Sequence, residues 1–213
     1  MSGPRLVGMR LNLVAGLLIG GFGVGLTLVL HGAGLLREPL GGRLSALALA
    51  VHAGVLVWAL VLHRRAVSPE PVPFSRLLGA GLLISLAAGV VLFVGALAFT
   101  TVIDPGHLPW LRETMVAELE RWQQDAAVEG TASAVEAGSA VEAGSVVEGR
   151  EPAEPALSPE ELAAQRRAIE ELSPGSYALQ WLGSALFTGL LLTLPIATLL
   201  RIGALRQAPQ GSS

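Results

Sequence analysis

Residues 11–36 read LNLVAGLLIGGFGVGLTLVLHGAGLL, and this stretch decides the fold because it contains no Asp, Glu, Lys or Arg. An α-helix needs about 20 predominantly apolar residues to cross about 30 Å of hydrocarbon. Three further stretches also lack fully charged residues and are long enough to cross: 44–62, 77–103 and 172–200. The sequence therefore predicts an all-α membrane protein with four transmembrane helices.

The composition agrees with that fold class and excludes several kinds of chemistry. Hydrophobic residues make up 52% of the chain and charged residues 15%, against about 25% charged residues in soluble domains. There is no Cys, which excludes disulfides, thiolate nucleophiles and Cys-ligated metals. All 14 basic residues are Arg, which excludes a Schiff base on a lysine.

The spacing of the remaining residues gives no sign of an active site. No nucleophile–base pair, metal-binding cluster or Gly-rich phosphate loop stands out in the sequence. We therefore expect no catalytic residue, no cofactor and no metal site, and we expect a protein that is not an enzyme. The expected partners are the lipid bilayer and a second copy of the chain or an unknown membrane protein, with no nucleic acid.

The arginines predict the orientation of the spans. Seven of them precede span one, separate spans two and three, or follow span four: Arg5, Arg10, Arg64, Arg65, Arg76, Arg201 and Arg206. The short loop between spans one and two has only Arg37 and Arg43. Because short cytoplasmic loops are enriched in Lys and Arg, both termini are predicted to be cytoplasmic in a multi-pass protein of the inner (plasma) membrane.

These boundaries divide the chain into three parts. Residues 1–101 are predicted to hold the first three spans, and residues 177–213 the fourth span with a cytoplasmic tail. Residues 102–176 form an acidic segment with 15 acidic and 5 basic residues. The fold class is therefore four transmembrane helices with an extracytoplasmic helical insertion between spans three and four.

The insertion is predicted to contain two short amphipathic helices. Leu111, Met115, Leu119 and Trp122 form an apolar stripe on a helix over residues 109–122. Ser158, Pro159 and Glu161 form a capping-box pattern that begins a second helix over residues 158–172. Between them, residues 126–157 are low in complexity, with SAVEAG repeated at 133–138 and 139–144, and are predicted to be a disordered linker. The two helices pack on each other or lie on the lipid headgroups.

Small residues at four-residue spacing mark helix-packing faces in span one. The candidates are Gly16 with Gly20, and Gly21 with Gly25. Small residues allow two helices to approach closely in lipid. The sequence leaves two alternatives for these glycines: packing against the other spans of the same chain, which we favour, and a dimer face.

One ionisable residue lies deep in a span. His52 falls near the middle of residues 44–62, and an intramembrane ionisable residue is a candidate functional site. No Asp, Glu or Arg lies in any of the four apolar stretches to act as its partner. Ser85 and Thr188 are at a comparable depth and could hydrogen-bond a neutral imidazole, so a structural role is favoured over a proton or ligand role.

The second half of the chain resembles a bacterial four-span membrane family, the domain of unknown function 4199. The similar features are the sequences at 73–79, 103–105 and 157–161, the helix at 111–122, Ser173-Pro174, and the ending at 192–201. The resemblance covers roughly residues 73–201, and spans one and two only in hydropathy. It implies the four-span architecture and an inner-membrane location, and it assigns no catalytic residue.

Two classes of function fit these observations. The first is a non-enzymatic structural or interaction component of the bacterial inner membrane, working through small-residue helix faces or through the outer helices. The alternative is a small oligomeric transporter or channel. Transport sites usually contain intramembrane charge or broken helices, for which His52 and Pro195 are the candidates here, so the first class is favoured.

Overall fold

A computed structural model describes residues 4–67, 73–143 and 157–207. Within these residues the chain is helical and contains no β-strand. The helices in chain order are α1 (Pro4–Gly32), α2 (Pro39–Val67), α3 (Phe74–Ala98), a π-helical turn (Phe99–Ile103), α4 (His107–Ala143), α5 (Pro159–Glu170) and α6 (Pro174–Gln207).

The chain divides into two compact units. The first unit consists of residues 1–101 and 174–213, and the second of residues 102–173. The second unit therefore ends three residues earlier than the insertion predicted over 102–176, because Pro174 is already the first residue of α6. Proline suits the first turn of a helix, where its missing N–H would have no partner.

The four predicted spans are confirmed as helices of sufficient length and hydropathy to cross a membrane. They are Val7–Gly32, Ala46–Arg65, Phe74–Ile103 and Pro174–Ile202. Large apolar side chains cover their outward faces, and Leu17, Val94 and Phe187 are each more than half exposed. Such a surface suits a bilayer, where hydrocarbon rather than water surrounds the helices.

The helices of the first unit alternate in direction. Gly16 and Gly20 of α1 face Ile84 and Val91 of α3, so these two helices run parallel. Along α3 and α6 the contacts instead pair Gly81 with Thr193 and Gly89 with Leu182, so these helices are antiparallel. This is the arrangement expected of four successive spans joined by connections at alternate ends.

The centre of the first unit is apolar. Ala15 and Ile19 of α1, Leu56 and Leu60 of α2, and Ile84 of α3 belong to one buried cluster. Leu192 and Ile196 of α6 pack against it. All four spans therefore contribute to a single core.

The end of the third span departs from regular α-helix. Residues Phe99–Ile103 form a π-helical turn, in which hydrogen bonds run from i to i+5. The hydroxyl of Thr100 donates to the Ala96 carbonyl at 2.8 Å, and that of Thr101 to the Leu97 carbonyl at 2.7 Å. The Phe99 ring packs edge-on against His31, with ring centroids 5.2 Å apart. Hydropathy alone does not predict this turn, because residues 99–103 belong to the same charge-free stretch, 77–103, as the regular helix before them.

The second unit contains an antiparallel helical hairpin. Gln123 of α4 donates to the Leu157 carbonyl at 3.0 Å and accepts from its N–H at 3.2 Å. At the other end of α5, the Nε of Arg112 donates to the Leu172 carbonyl at 3.2 Å. Between these contacts Arg166 forms an ion pair with Glu120. The two predicted helices thus contact each other along their length.

The predicted start of the second helix is confirmed. The Ser158 hydroxyl accepts from the Glu161 N–H at 3.3 Å, and the Glu161 carboxylate accepts from the Ser158 N–H at 2.9 Å. These two hydrogen bonds form a capping box, with Pro159 as the first helical residue. They also lower the pKa of the Glu161 carboxyl below its usual value, because the ionised form is the better acceptor.

Helix α4 is longer than the sequence predicted. The amphipathic stripe ends at Trp122, but the helix continues to Ala143 and includes residues 126–143 of the predicted disordered linker. Ala and Glu, which recur in the SAVEAG repeat, have favourable helix propensities, so a helix there needs no apolar stripe. Residues 144–156 of the linker lie outside the described residues, and their disorder stays a prediction.

Candidate functional site

Two buried histidines lie on the inner face of α2. His52 is 6% exposed and His63 is 7% exposed. They are separated by three turns of helix, or about 16 Å along the axis at 1.5 Å per residue. Leu56 and Leu60 lie between them and are completely buried in the apolar core. The two imidazoles therefore belong to separate sites, with His52 near the middle of α2 and His63 near its C-terminal end.

The first site, which we call the His52 cavity, has a volume of about 200 Å³. Its polar lining consists of Thr27, His52, Ser184 and Thr188, and Trp181 contributes an aromatic ring. The Thr27 hydroxyl donates to the Gly23 carbonyl within its own helix at 3.0 Å. Among the described residues, the buried Nε2 of His52 has no hydrogen-bond partner.

The structure separates the three residues predicted to form an intramembrane polar site. His52 and Thr188 line the same cavity. Ser85 lies elsewhere, in the interface between α3 and α6, where it is fully buried and contacts Gly189. Its hydroxyl donates to the Gly81 carbonyl at 2.9 Å. Ser85 is therefore a packing residue of α3.

The second site, which we call the His63 cavity, has a volume of about 370 Å³. Among the described residues, its polar lining is Asn12 from α1, His63 from α2 and Arg76 from α3, and Met9, Gly79, Ala80 and Leu83 also line it. Asn12 is 3% exposed. Although His63 lies beside the Gly8 carbonyl, neither of its ring nitrogens completes a hydrogen bond, and neither does the Asn12 Oδ1.

The predicted glycine faces of α1 point in two directions. A methyl group added at Gly16 would lie 2.5 Å from the Ala87 Cβ, and one added at Gly20 would lie 2.6 Å from the Val91 Cβ. These two glycines are therefore required for the close approach of α1 and α3. By contrast, a methyl group at Gly21 or Gly25 would meet no atom within 4 Å. The second pair lies on the side of α1 that faces away from the bundle.

One family model matches most of the chain. It is described as "Protein of unknown function (DUF4199)" and matches residues 15–201. The chain belongs to the DUF4199 family. The match includes α2 and α1 from residue 15 onward, so the family relationship extends further than the resemblance over residues 73–201 that the sequence motifs supported. No curated protein and no solved structure matches the chain.

Within the part of this DUF4199 protein that the structure describes, no group of three or more His, Cys, Asp or Glu residues could hold a metal ion. The polar side chains at the His52 cavity come from α1, α2 and α6, and those at the His63 cavity come from α1, α2 and α3.

The sequence reasoning missed the His63 cavity. Asn12 is not ionisable and lies within the charge-free stretch 11–36, His63 follows directly after the stretch 44–62, and Arg76 enters the sequence argument only as a topology signal. A usable signal existed, because Asn12 interrupts an otherwise apolar segment and a buried carboxamide needs partners. That Asn12, His63 and Arg76 meet depends on the packing of three helices, which a single sequence does not reveal.

Proposed function

We propose that this DUF4199 protein is a non-enzymatic interaction component of the bacterial inner membrane that associates with a second copy of itself. The observation that carries the proposal is the open space beside Gly21 and Gly25 of α1. Other glycines of the same helix, Gly16, Gly20 and Gly23, are in contact with α3. Packing of α1 on α3 therefore explains the glycines at 16, 20 and 23. It does not explain the Gly21–Gly25 pair.

The side chains around this pair have the form of a helix-dimer surface. Val14, Leu17 and Leu18 precede Gly21 on the same side of α1, and Leu28 follows Gly25, each at least 40% exposed. In lipid, two helices gain little from burying apolar area, and close contact at small residues drives their association instead. A groove at two glycines, bordered by larger apolar side chains, suits an identical groove on a second copy.

The test compares two glycine substitutions on different helices. Gly21→Leu fills the groove and should convert a dimer to a monomer. Gly183→Leu is the matched control, since a side chain there also meets no atom within 4 Å, and it should leave the dimer intact. The readout is the mass of the intact complex in mild detergent. A monomeric parent chain, or equal behaviour of the two variants, would contradict the proposal.

The orientation is part of the same proposal. The arginine distribution supports cytoplasmic termini and an extracytoplasmic second unit. Since the chain has no Cys, a single cysteine can be introduced at Ser2 or at Ser139. In intact cells a membrane-impermeant maleimide should label the Ser139→Cys variant and spare the Ser2→Cys variant, and the reverse pattern would require the opposite orientation.

A small oligomeric transporter is the second candidate, and the two cavities favour it. They lie at different depths in the bundle, and the cluster around Leu56 and Leu60 separates them. Alternating access needs a site that opens to either side in turn. His52→Gln retains a donor and an acceptor, so the interaction function predicts unchanged folding and assembly. The transporter function predicts instead a proton-coupled flux in proteoliposomes. Loss of that flux in the His52→Gln variant would show that the protein is a transporter.

A further inference from the structure

The His63 cavity has the features of a binding site for an anionic phosphate group. Two buried polar side chains from different helices, Asn12 and His63, line it and keep polar atoms without hydrogen-bond partners. Leaving a buried donor or acceptor without a partner costs free energy, because the group has lost its hydrogen bonds to water. A ligand that supplies the missing partners would recover that free energy.

Among the described residues that line the cavity, the charged side chain is a cation. Arg76 lines the cavity and lies in the first turn of α3, near the positive end of the helix dipole. No acidic residue occupies that first turn, and no side chain caps it. Because the helices alternate in direction, Arg10, Arg64 and Arg201 belong to the same end of the bundle as Arg76.

The polar groups also define the kind of ligand. The guanidinium of Arg76 matches the geometry of phosphate oxygens, and a neutral imidazole offers one N–H donor together with one acceptor. The Asn12 Oδ1 is an acceptor, so it suits a hydroxyl group beside the phosphate. The cavity volume of about 370 Å³ falls within the range of about 300–1,000 Å³ typical of small-molecule sites.

We propose that the His63 cavity binds a phosphate group that carries a neighbouring hydroxyl, with Arg76 and His63 contacting the phosphate and Asn12 accepting from the hydroxyl. The apolar wall formed by Met9 and Leu83 fits a ligand with a hydrocarbon part. A phospholipid headgroup and a soluble phosphate ester share this chemistry. The site is independent of the α1 dimer, because Gly21 and Gly25 do not line it.

The experiment measures binding to the purified full-length protein by native mass spectrometry. The probes are short-chain phosphatidylglycerol, short-chain phosphatidylcholine and glycerol 3-phosphate. Phosphatidylglycerol should bind saturably and about tenfold more tightly than phosphatidylcholine, which corresponds to one interaction of about 1.4 kcal/mol. If glycerol 3-phosphate binds at the same site and competes with the lipid, the natural source is a soluble ester. If it does not bind, the source is a lipid headgroup.

Matched variants separate the cavity from the general charge of the surface. Arg76→Gln should weaken phosphatidylglycerol binding about tenfold or more, since hydrogen bonds to charged groups are stronger than those between neutral groups. Arg201→Gln removes the same charge at the same end of the bundle without touching the cavity, and should leave affinity within about twofold. Equal losses in these two variants would overturn the proposal.

Variants at the buried groups provide a second test. His63→Leu and Asn12→Leu remove hydrogen-bonding capacity while preserving bulk, and both should reduce the preference for phosphatidylglycerol. His63→Gln keeps a donor and should retain more affinity than His63→Leu if both variants fold. Should either leucine variant fail to fold, Arg76→Gln still decides the outcome, because Arg76 is exposed. Unchanged binding in folded Asn12→Leu and His63→Leu proteins would also overturn the proposal.

Discussion

The α3–α6 interface and the α4–α5 hairpin both join two antiparallel helices, but different forces hold them together. In the α3–α6 interface, glycines of one helix receive side chains of the other, with Gly81 against Thr193 and Gly189 against Ser85. In the hairpin, no residue of α5 is buried, and the contacts are hydrogen bonds and an ion pair. The first interface depends on shape and the second on polar partners.

The difference follows from the sequences available to each region. A span must stay apolar, so small residues are its means of bringing backbones close enough for dispersion contacts to accumulate. The hairpin sequence has few large apolar residues facing inward and many charged ones, so specific polar pairs and a helix cap determine its geometry. Substitutions should therefore have different kinds of effect in the two regions.

The largest effect is expected at the α3–α6 interface. Gly189→Leu should destabilise the protein by about 3 kcal/mol or more, because overpacking of a close contact forces both helices to shift. Gly183→Leu in the same helix, where a side chain meets no atom within 4 Å, should be nearly neutral. Thermal unfolding in detergent measures both. Similar melting temperatures for the two variants would show that the interface adapts easily and that shape is not its determinant.

A smaller, local effect is expected in the hairpin. Arg112→Ala removes the donors to the Leu172 carbonyl and should lower the local stability of α5 by about 1–2 kcal/mol. The melting temperature of the spans should hardly change. Hydrogen–deuterium exchange of α5 amides is the appropriate measurement, with the exposed Arg121 of the same helix replaced by Ala as the control. If exchange stays unchanged in α5, the polar contacts do not hold the hairpin.

The smallest effect is expected at the cap of α5. Ser158→Ala should cost about 1 kcal/mol of helix stability, whereas Ser158→Thr keeps a hydroxyl acceptor and should cost less. The Glu161 partner adds a pH dependence, since its pKa is lowered in the folded protein. Its contribution is fully present above the ordinary pKa of a glutamate and is lost as the pH falls through the folded pKa.

Local exchange rates in α5, corrected for intrinsic chemistry, should therefore rise in acid in the parent chain. In the Ser158→Ala variant the exchange rates should depend less on acid. The hydrogen bond that the Ser158 hydroxyl donates to the Glu161 carboxylate at 2.8 Å is absent there. An identical acid dependence in both chains would show that the hydrogen bonds of the Ser158 hydroxyl do not contribute to the pH dependence of α5 stability.

The sequence predicts the parts of the structure that depend on local rules. Residues 11–36 and the three similar stretches give the four spans because helix length and hydropathy suffice to identify them. Ser158 to Glu161 gives the start of α5 because a cap depends on four neighbouring residues. The prediction of a disordered linker is wrong for residues 126–143, which belong to α4. The Ala and Glu residues there favour a helix even without an apolar stripe.

The remaining features depend on contacts between helices. Gly16 and Gly21 look alike in the sequence, and only the packing of α1 on α3 separates a buried glycine from an open one. His52 and Ser85 have similar predicted depths, yet Ser85 turns towards α6 and away from the His52 cavity. Asn12, His63 and Arg76 come from three helices, so their meeting depends on the rotation of each helix about its axis.

The close contact between Ser85 and Gly189 also constrains how the chain can evolve. The space between these two backbones holds one hydroxymethyl group, and either helix can supply it. Replacing Ser85 by Gly together with Gly189 by Ser should therefore be tolerated, whereas two larger residues should not coexist. Across the DUF4199 family, the residues at these two positions should vary in a correlated way, with one small wherever the other is larger.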